Sequence, residues 1–376
     1  MYVRTKNLMA LAASLAVITL IGCGSSLGGG GNSGGGNPQT AKNFVYAASS
    51  QANNISAWEL DGTSGRLTAI AGSPFPGLDA PMTIAIDPAF KHIAVTNLNF
   101  GKLNVFDVTK NTGSLSQVTG SPFTLLGGGY QLSSVFDPHG DYLYIGNSEY
   151  TNSIGVYPVN TATGAVDTPE IVNGTGLIHY LAIHPSGEYL YSAGSGIAAF
   201  KIDVGGLLEL PGSPFFASLY LGDSRSVVHN SGNMLLVADR DSSQLRVMGL
   251  NGDGSVGTEV PGSPIALGAV PLAIAVGPSL GTTVFVTTES DTLIAIPINP
   301  ISGLTGTPSA PVATGHRGTG IATDSSGTFV YVACQTGGIL GFSLGSGVTP
   351  TLTPLPGSPY AAGADLVGVV ATHFRP

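Results

Sequence analysis

The sequence predicts an all-β chain folded as a single seven-bladed β-propeller, closed by pairing of its C-terminal strand with the N-terminal blade. Three observations carry this. Charged residues make up only 9% of the 376, against about 25% in an average globular chain, so the ion pairs that support helical surfaces are scarce. The 55 glycines and 25 prolines favour frequent turns over long helices. From Phe44 onward, short strand-like segments recur with a period of about 48 residues, and self-similarity at such a spacing marks a repeat architecture.

Residues 1–22 read as an export signal. Arg4 and Lys6 precede an apolar run from Leu8 to Leu20, which is too short to span a bilayer. Leu20-Ile21-Gly22-Cys23 follows and resembles the lipobox of bacterial lipoproteins. The resemblance implies cleavage before Cys23, acylation of Cys23, and a lipid anchor to a membrane of the cell envelope, on its periplasmic or surface face. An ordinary cleaved signal is the alternative. Residues 23–43, with glycine runs at 28–31 and 34–36, have too few apolar groups to fold and read as a flexible tether. With Cys23 acylated, Cys334 has no partner, so the domain at 44–376 is expected to be a monomer held by its core without disulfides.

Within that domain four marks repeat in fixed order. The first is a strand of aromatic and β-branched residues, seen in seven copies such as Phe44-Val45-Tyr46, Tyr189-Leu190-Tyr191 and Phe329-Val330-Tyr331. The second is an alternating apolar stretch, again in seven copies, among them Ile55 to Leu60 and Leu245 to Leu250. The third is Gly-Ser-Pro plus an apolar residue, at Gly72, Gly120, Gly212, Gly262 and Gly357, with degenerate forms near Pro169 and Pro308. Proline donates nothing to a ladder, so it belongs at the end of an edge strand. The fourth is an apolar strand entering a tight turn, as in Ile84-Ala85-Ile86-Asp87-Pro88 and Ile183-His184-Pro185-Ser186-Gly187. Each period therefore supplies four antiparallel strands, inner, second, third and outer, and seven such sheets packed radially make a propeller. The chain begins on a second strand and ends on a lone inner-type strand, Leu366 to Val370, which completes the first blade.

The net charge of −9 and the scatter of its basic residues argue against nucleic acid as a partner. No Cys-x-x-Cys, His-Glu-x-x-His or EF-hand spacing occurs, so no cofactor and no built metal site is expected, a cation trapped in an acidic channel aside. Gly194-Ser195-Gly196 lacks the spacing of a serine nucleophile elbow.

Ala94-Val95-Thr96-Asn97, Tyr144-Ile145-Gly146-Asn147 and Tyr331-Val332-Ala333-Cys334 resemble the YVTN-type propeller repeat. With the strand order, the Asp-Pro-x-Gly turns and the terminal closure, residues 44 to 374 resemble the seven-bladed lactonase family that includes bacterial 6-phosphogluconolactonases and muconate-lactonizing enzymes. Lactonase members of that family place a His-x-His, an Arg-His and an Asn-Glu pair on successive blades. Here the corresponding positions are Leu177 with His179, Ser224 with Arg225, and Asp239 with Arg240.

Crossovers from outer to inner strands and loops from second to third strands open on one face of a propeller, at the mouth of its channel. That set contains His179, Tyr180, Arg225, His316 and Arg317 from crossovers, and Asn97, Asn147, Glu149, Asp239, Arg240, Asp241, Glu289, Asp291 and Gln335 from loops. His179 is the candidate general base and Arg225 the candidate electrostatic stabiliser of a lactone oxyanion; a hydrogen-bonded structural histidine is the alternative for His179. Asp239, Arg240, Glu289, His316, Arg317 and Gln335 are candidate ligand-binding residues. The arginines either form an anion-binding mouth or pair with Asp239, Asp241 and Glu289 to tie blades together. His92, His139 and His184 adjoin the opposite face and read as structural. The departures from the family pairs favour a binding scaffold for an unknown small molecule or protein at the channel mouth. A lactonase with an altered site is the alternative, and a phosphorylated sugar lactone, being cytoplasmic, is not what an exported protein would meet.

Overall fold

The computed structural model describes residues 42–373 apart from 99–100, 127–129, 149–151, 204–205, 279–280, 346 and 348. The signal peptide, Cys23 and all but the end of the tether lie outside the described residues, as does Glu149. The strands form seven antiparallel sheets in chain order, each running inner, second, third, outer. In the second blade these are Pro81–Ile86, His92–Asn97, Lys102–Val108 and Leu115–Gln117.

The first blade is closed as expected. Its inner strand, Leu366–Ala371, pairs antiparallel with Asn43–Ser49, placing Val45 opposite Ala371 and Ala47 opposite Val369. Phe44 N–H donates to Thr372 Oγ1 at 2.7 Å, and Thr372 N–H returns to the Phe44 carbonyl at 2.8 Å. The first and last described residues thus sit on adjacent strands of one sheet.

Because both faces of each sheet are covered by neighbouring blades, second strands such as His92–Asn97 and Met234–Asp239 are buried at every position, their polar end residues included, with no in-and-out alternation of burial. The core lies in the seams between blades. One cluster joins Tyr46 and Ile55 of blade 1 to Ile84 and Val95 of blade 2 and Ile145 of blade 3. Others follow around the ring to Tyr331 and Ile339 of blade 7 against Val45 and Trp58 of blade 1.

Polar clips reinforce these seams. In the motif aromatic-x-Tyr that opens several second strands, the Tyr hydroxyl donates to a glycine carbonyl on the next blade: Tyr46 to Gly113 at 2.8 Å, Tyr191 to Gly254 at 2.9 Å and Tyr331 to Gly65 at 2.7 Å. The aromatic residue two positions earlier lies over the same glycine. A Cβ on Gly65 would stand 2.4 Å from the Phe329 ring, and one on Gly113 would stand 2.4 Å from Phe44. These glycines also adopt φ near +70°, which side chains resist.

Two local expectations are refined. The Gly-Ser-Pro motif does not end the outer strand but interrupts it, between Leu67–Ala69 and Phe75–Pro76 in blade 1. The Ser–Pro bonds are cis, and the serine hydroxyl accepts the third-strand N–H left bare by the interruption. Ser73 takes Ala57 N–H at 2.9 Å, Ser121 takes Val105, Ser213 takes Ala199, Ser263 takes Val247 and Ser358 takes Gly341. In blade 4 the second and third strands merge into one run, Tyr189–Asp203, folded back at Gly196 (φ +80°) so that Ile202 N–H reaches the Glu188 carbonyl.

Candidate functional site

Each crossover delivers its last residues to the start of an inner strand at one end of the channel. His179 precedes Tyr180–Ile183, Arg225 opens Arg225–Val228, and Arg317 precedes Gly318–Thr323. The second-to-third loops bring Asp239, Arg240, Asp241 and Glu289 to the same end. The structure gathers most of these groups across blades 4 to 7.

His179 stands 13% exposed, its Nδ1 3.0 Å from Asp223 Oδ1 and 3.0 Å from the Gly222 carbonyl. Two acceptors at one nitrogen require it to carry the proton, which leaves the Nε2 lone pair available in the neutral ring. The histidine holds the Asp223 carboxyl below its ordinary range, against the opposing effect of burial. Gly222 sits in a backbone conformation that favours glycine. Its φ is +41°, and a Cβ there would lie 3.1 Å from both Asp241 Oδ2 and the Tyr220 ring. Burial beside Asp239 and Asp223 raises the Asp241 carboxyl.

Arg225 is 6% exposed and lies over the Tyr180 ring, 4.4 Å from its centroid, a favourable placement for a desolvated guanidinium. Burial lowers its proton affinity, the neighbouring Arg240 and Arg317 lower it further, and Tyr180 and Asp223 act in the opposite sense. Burial likewise raises the Tyr180 hydroxyl.

Arg240 and Arg317 do not form an open anion mouth. Both donate to Glu289 Oε1, from 2.9 and 2.8 Å, so one carboxylate ties blades 5, 6 and 7, which is the structural alternative for these side chains. Asp239, fully buried, is held by Arg246 Nε at 2.7 Å, and Arg246 reaches on to Glu259 at 3.3 Å. His316 is not drawn into the cluster. Its Nδ1 meets Thr336 Oγ1 at 2.9 Å, and its ring covers Gly337 of its own blade. Gln335 contributes its backbone, with N–H to the Arg317 carbonyl and carbonyl to Asp365 N–H. Asn97 is structural, donating to Asn104 Oδ1 at 2.7 Å and accepting from Asp79 N–H.

A family model described as a seven-bladed β-propeller lactonase matches residues 37–124 and 142–263, more than half of the chain. The chain belongs to this lactonase family. Among solved structures, a proposed 6-phosphogluconolactonase of Bacteroides fragilis superposes with a TM-score of 0.74 at 16% identity, covering 90% of this chain and 100% of the other. The periplasmic gluconolactonase of Pseudomonas aeruginosa gives a TM-score of 0.69 at 16% identity, with 87% and 98% covered. At these identities the likeness is one of fold. No curated protein matches the chain in sequence.

Within this lactonase-family fold, two partners escape a reading by sequence. Asp223 lies two residues before Arg225 in the same crossover, yet its meeting with His179 depends on how consecutive crossovers pack. Arg246 sits between the buried Leu245 and Val247. Only the register, with Asp239 opposite Gln244 and Val237 opposite Arg246, makes it the diagonal neighbour of Asp239. On the opposite face, His184 and His229 take the position that Asp87 and Asp137 occupy in other turns. Each bridges to a glycine carbonyl one blade on, Gly232 at 3.0 Å and Gly281 at 2.7 Å. His92, buried, is held by Asp87 through Nδ1 at 2.9 Å, with the Asp107 carboxylate 3.2 Å from Nε2. Among the described residues no three His, Cys, Asp or Glu side chains gather as a metal site.

Proposed function

We propose that the protein opens the ring of an unphosphorylated sugar lactone, with His179 as general base. The carrying observation is the His179–Asp223 pair, in which Nδ1–H bonds the Gly222 carbonyl with the Asp223 carboxylate 3.0 Å from the same nitrogen, and Nε2 is left as the basic nitrogen. Water attacks the lactone carbonyl while passing a proton to His179 Nε2. The imidazolium is stabilised by Asp223, and the ring C–O bond then breaks as His179 returns the proton to the departing alkoxide, leaving a hydroxy acid. Arg225, buried beneath, supplies positive potential to the developing oxyanion.

This reading goes with an envelope location. Cys23 carries the lipid, the tether spans the gap, and an exported enzyme meets neutral lactones, as the periplasmic gluconolactonase resembled in fold does by its description. Recognition without turnover is the second reading, for a small molecule or protein at the mouth. The deep burial of Arg225 favours it, since a buried guanidinium is withheld from direct contact with an oxyanion.

The deciding experiment follows aldonolactone opening by proton release, above the spontaneous rate. Turnover reduced roughly 10²- to 10⁴-fold in His179→Ala with an unchanged melting curve is expected. Wild-type protein no faster than buffer leaves the binding reading, and turnover that survives the substitution removes His179 from the chemistry.

A further inference from the structure

Below the mouth, the inner strands enclose a cavity of about 20 Å³ lined by Ser133, Tyr180, Ile183, Arg225, Ser226 and Val228, among others. By the measure in which a water needs roughly 10–15 Å³, it admits one atom of that size or slightly larger. Two of its polar walls lack partners among the described residues: Arg225 Nη1 and Ser226 Oγ are both buried without a hydrogen bond, on residues 6% and 7% exposed. Ser133 Oγ accepts Leu181 N–H at 2.9 Å, which leaves its own O–H as a third donor. No carboxylate lines the cavity.

We propose that this cavity is a halide site, in which Arg225 Nη1 and the Ser226 and Ser133 hydroxyls hold one chloride ion. A water could satisfy the hydrogen bonds but not the charge. Guanidinium keeps its proton in proteins, and a buried charge without a counterion is costly. The Asp223 carboxylate favours the charged guanidinium from nearby but makes no hydrogen bond to it, and Arg240 and Arg317 add positive charge that outweighs it in number. Three donors, no carboxylate in the lining and room for one atom select a monatomic anion over carboxylate or phosphate. The inference does not depend on lactone opening, and a chloride bound here offsets part of the positive potential that Arg225 would lend an oxyanion.

The purified full-length protein is titrated with sodium chloride at constant ionic strength, balanced with sodium methanesulfonate. The melting temperature should rise and saturate, because a ligand bound only by the native state stabilises it. Ser226→Ala should weaken the half-saturating concentration about tenfold, as expected for a lost hydrogen bond to a charge, and Arg225→Gln should abolish the dependence. If Arg225→Gln does not fold, Ser226→Ala decides together with crystals grown in sodium bromide, where an anomalous peak is expected between Arg225 Nη1 and Ser226 Oγ. A melting temperature indifferent to chloride, a response unchanged in Ser226→Ala, or bromide peaks confined to the surface, meaning an adventitious ion only, would overturn the proposal. None of these readouts involves turnover, so failure of the lactonase reading leaves them intact.

Discussion

The hydroxyl of Tyr331 donates to the carbonyl of Gly65 at 2.7 Å across 266 positions of sequence, fastening the last complete blade to the first. The same clip between Tyr46 and Gly113, or Tyr191 and Gly254, joins blades that are neighbours in the chain.

Tyr331→Phe should therefore lower stability by about 1–2 kcal/mol, leaving the Gly65 carbonyl without its buried donor. Gly65→Ala should cost more, since the added methyl meets the Phe329 ring at 2.4 Å in a left-handed backbone. Urea denaturation of the two variants checks the order, which would be reversed if the hydroxyl mattered more than the close approach.

Deleting residues 365–376 removes the partner of Asn43–Ser49 and bares its ladder groups. Aggregation or a large drop in melting temperature is expected. A variant melting like the full chain would show that the first blade stands without that strand.

Asp223→Asn retains the shape of the pair with His179 but not the charge that stabilises the imidazolium. In a lactone assay kcat should fall roughly 10²-fold or more with KM little changed. A change confined to KM would make Asp223 a substrate-contacting group instead.

His373 is buried against Phe90, and burial lowers its pKa from 6.5 to about 4. Below pH 6.5 the unfolded chain takes up a proton that the native state refuses until about pH 4. Stability is thus complete above 6.5 and lost as the pH falls through that interval, by roughly 3 kcal/mol at most for this group. Burial moves His184 and His229 in the same direction. His373→Phe, which preserves the packing, should flatten the fall in urea midpoint between pH 7 and 4.5, and an equally steep fall would clear His373 of the effect.

Cys23→Ser should release the protein from the membrane to the soluble envelope fraction, because acylation needs the thiol. Retention with membranes would place the anchor elsewhere.

Seven blades are readable in the sequence because the same marks recur at the same spacing: an aromatic-x-Tyr start in several periods, an alternating third strand in all seven, a Gly-Ser-Pro in five, and an Asp- or His-containing turn. Recurrence turns weak local signals into a strong one. The position of the Gly-Ser-Pro within the outer strand is not readable, since a proline breaks a ladder equally well at its end or its middle. The candidate site is legible as a set of residues but not as a set of partners. His179 and Arg225 could be named from their crossovers. That His179 would meet Asp223 while Asp239 met Arg246 depends on how neighbouring strands and crossovers register, and pairings over that range leave no mark in spacing along the chain.

The hydrogen bonds between Phe44 and Thr372 also orient the molecule. Inner strands run from the His179 end of the channel to the turn end, and Asn43 begins a second strand, so the polypeptide both enters and leaves the ring at the turn end. If the segment ahead of Lys42 ties the protein to a membrane as proposed, it pulls on the turn end, opposite the His179 opening. With such an anchor, a substrate diffusing in from the surrounding medium would reach the opening without first passing between the protein and the membrane.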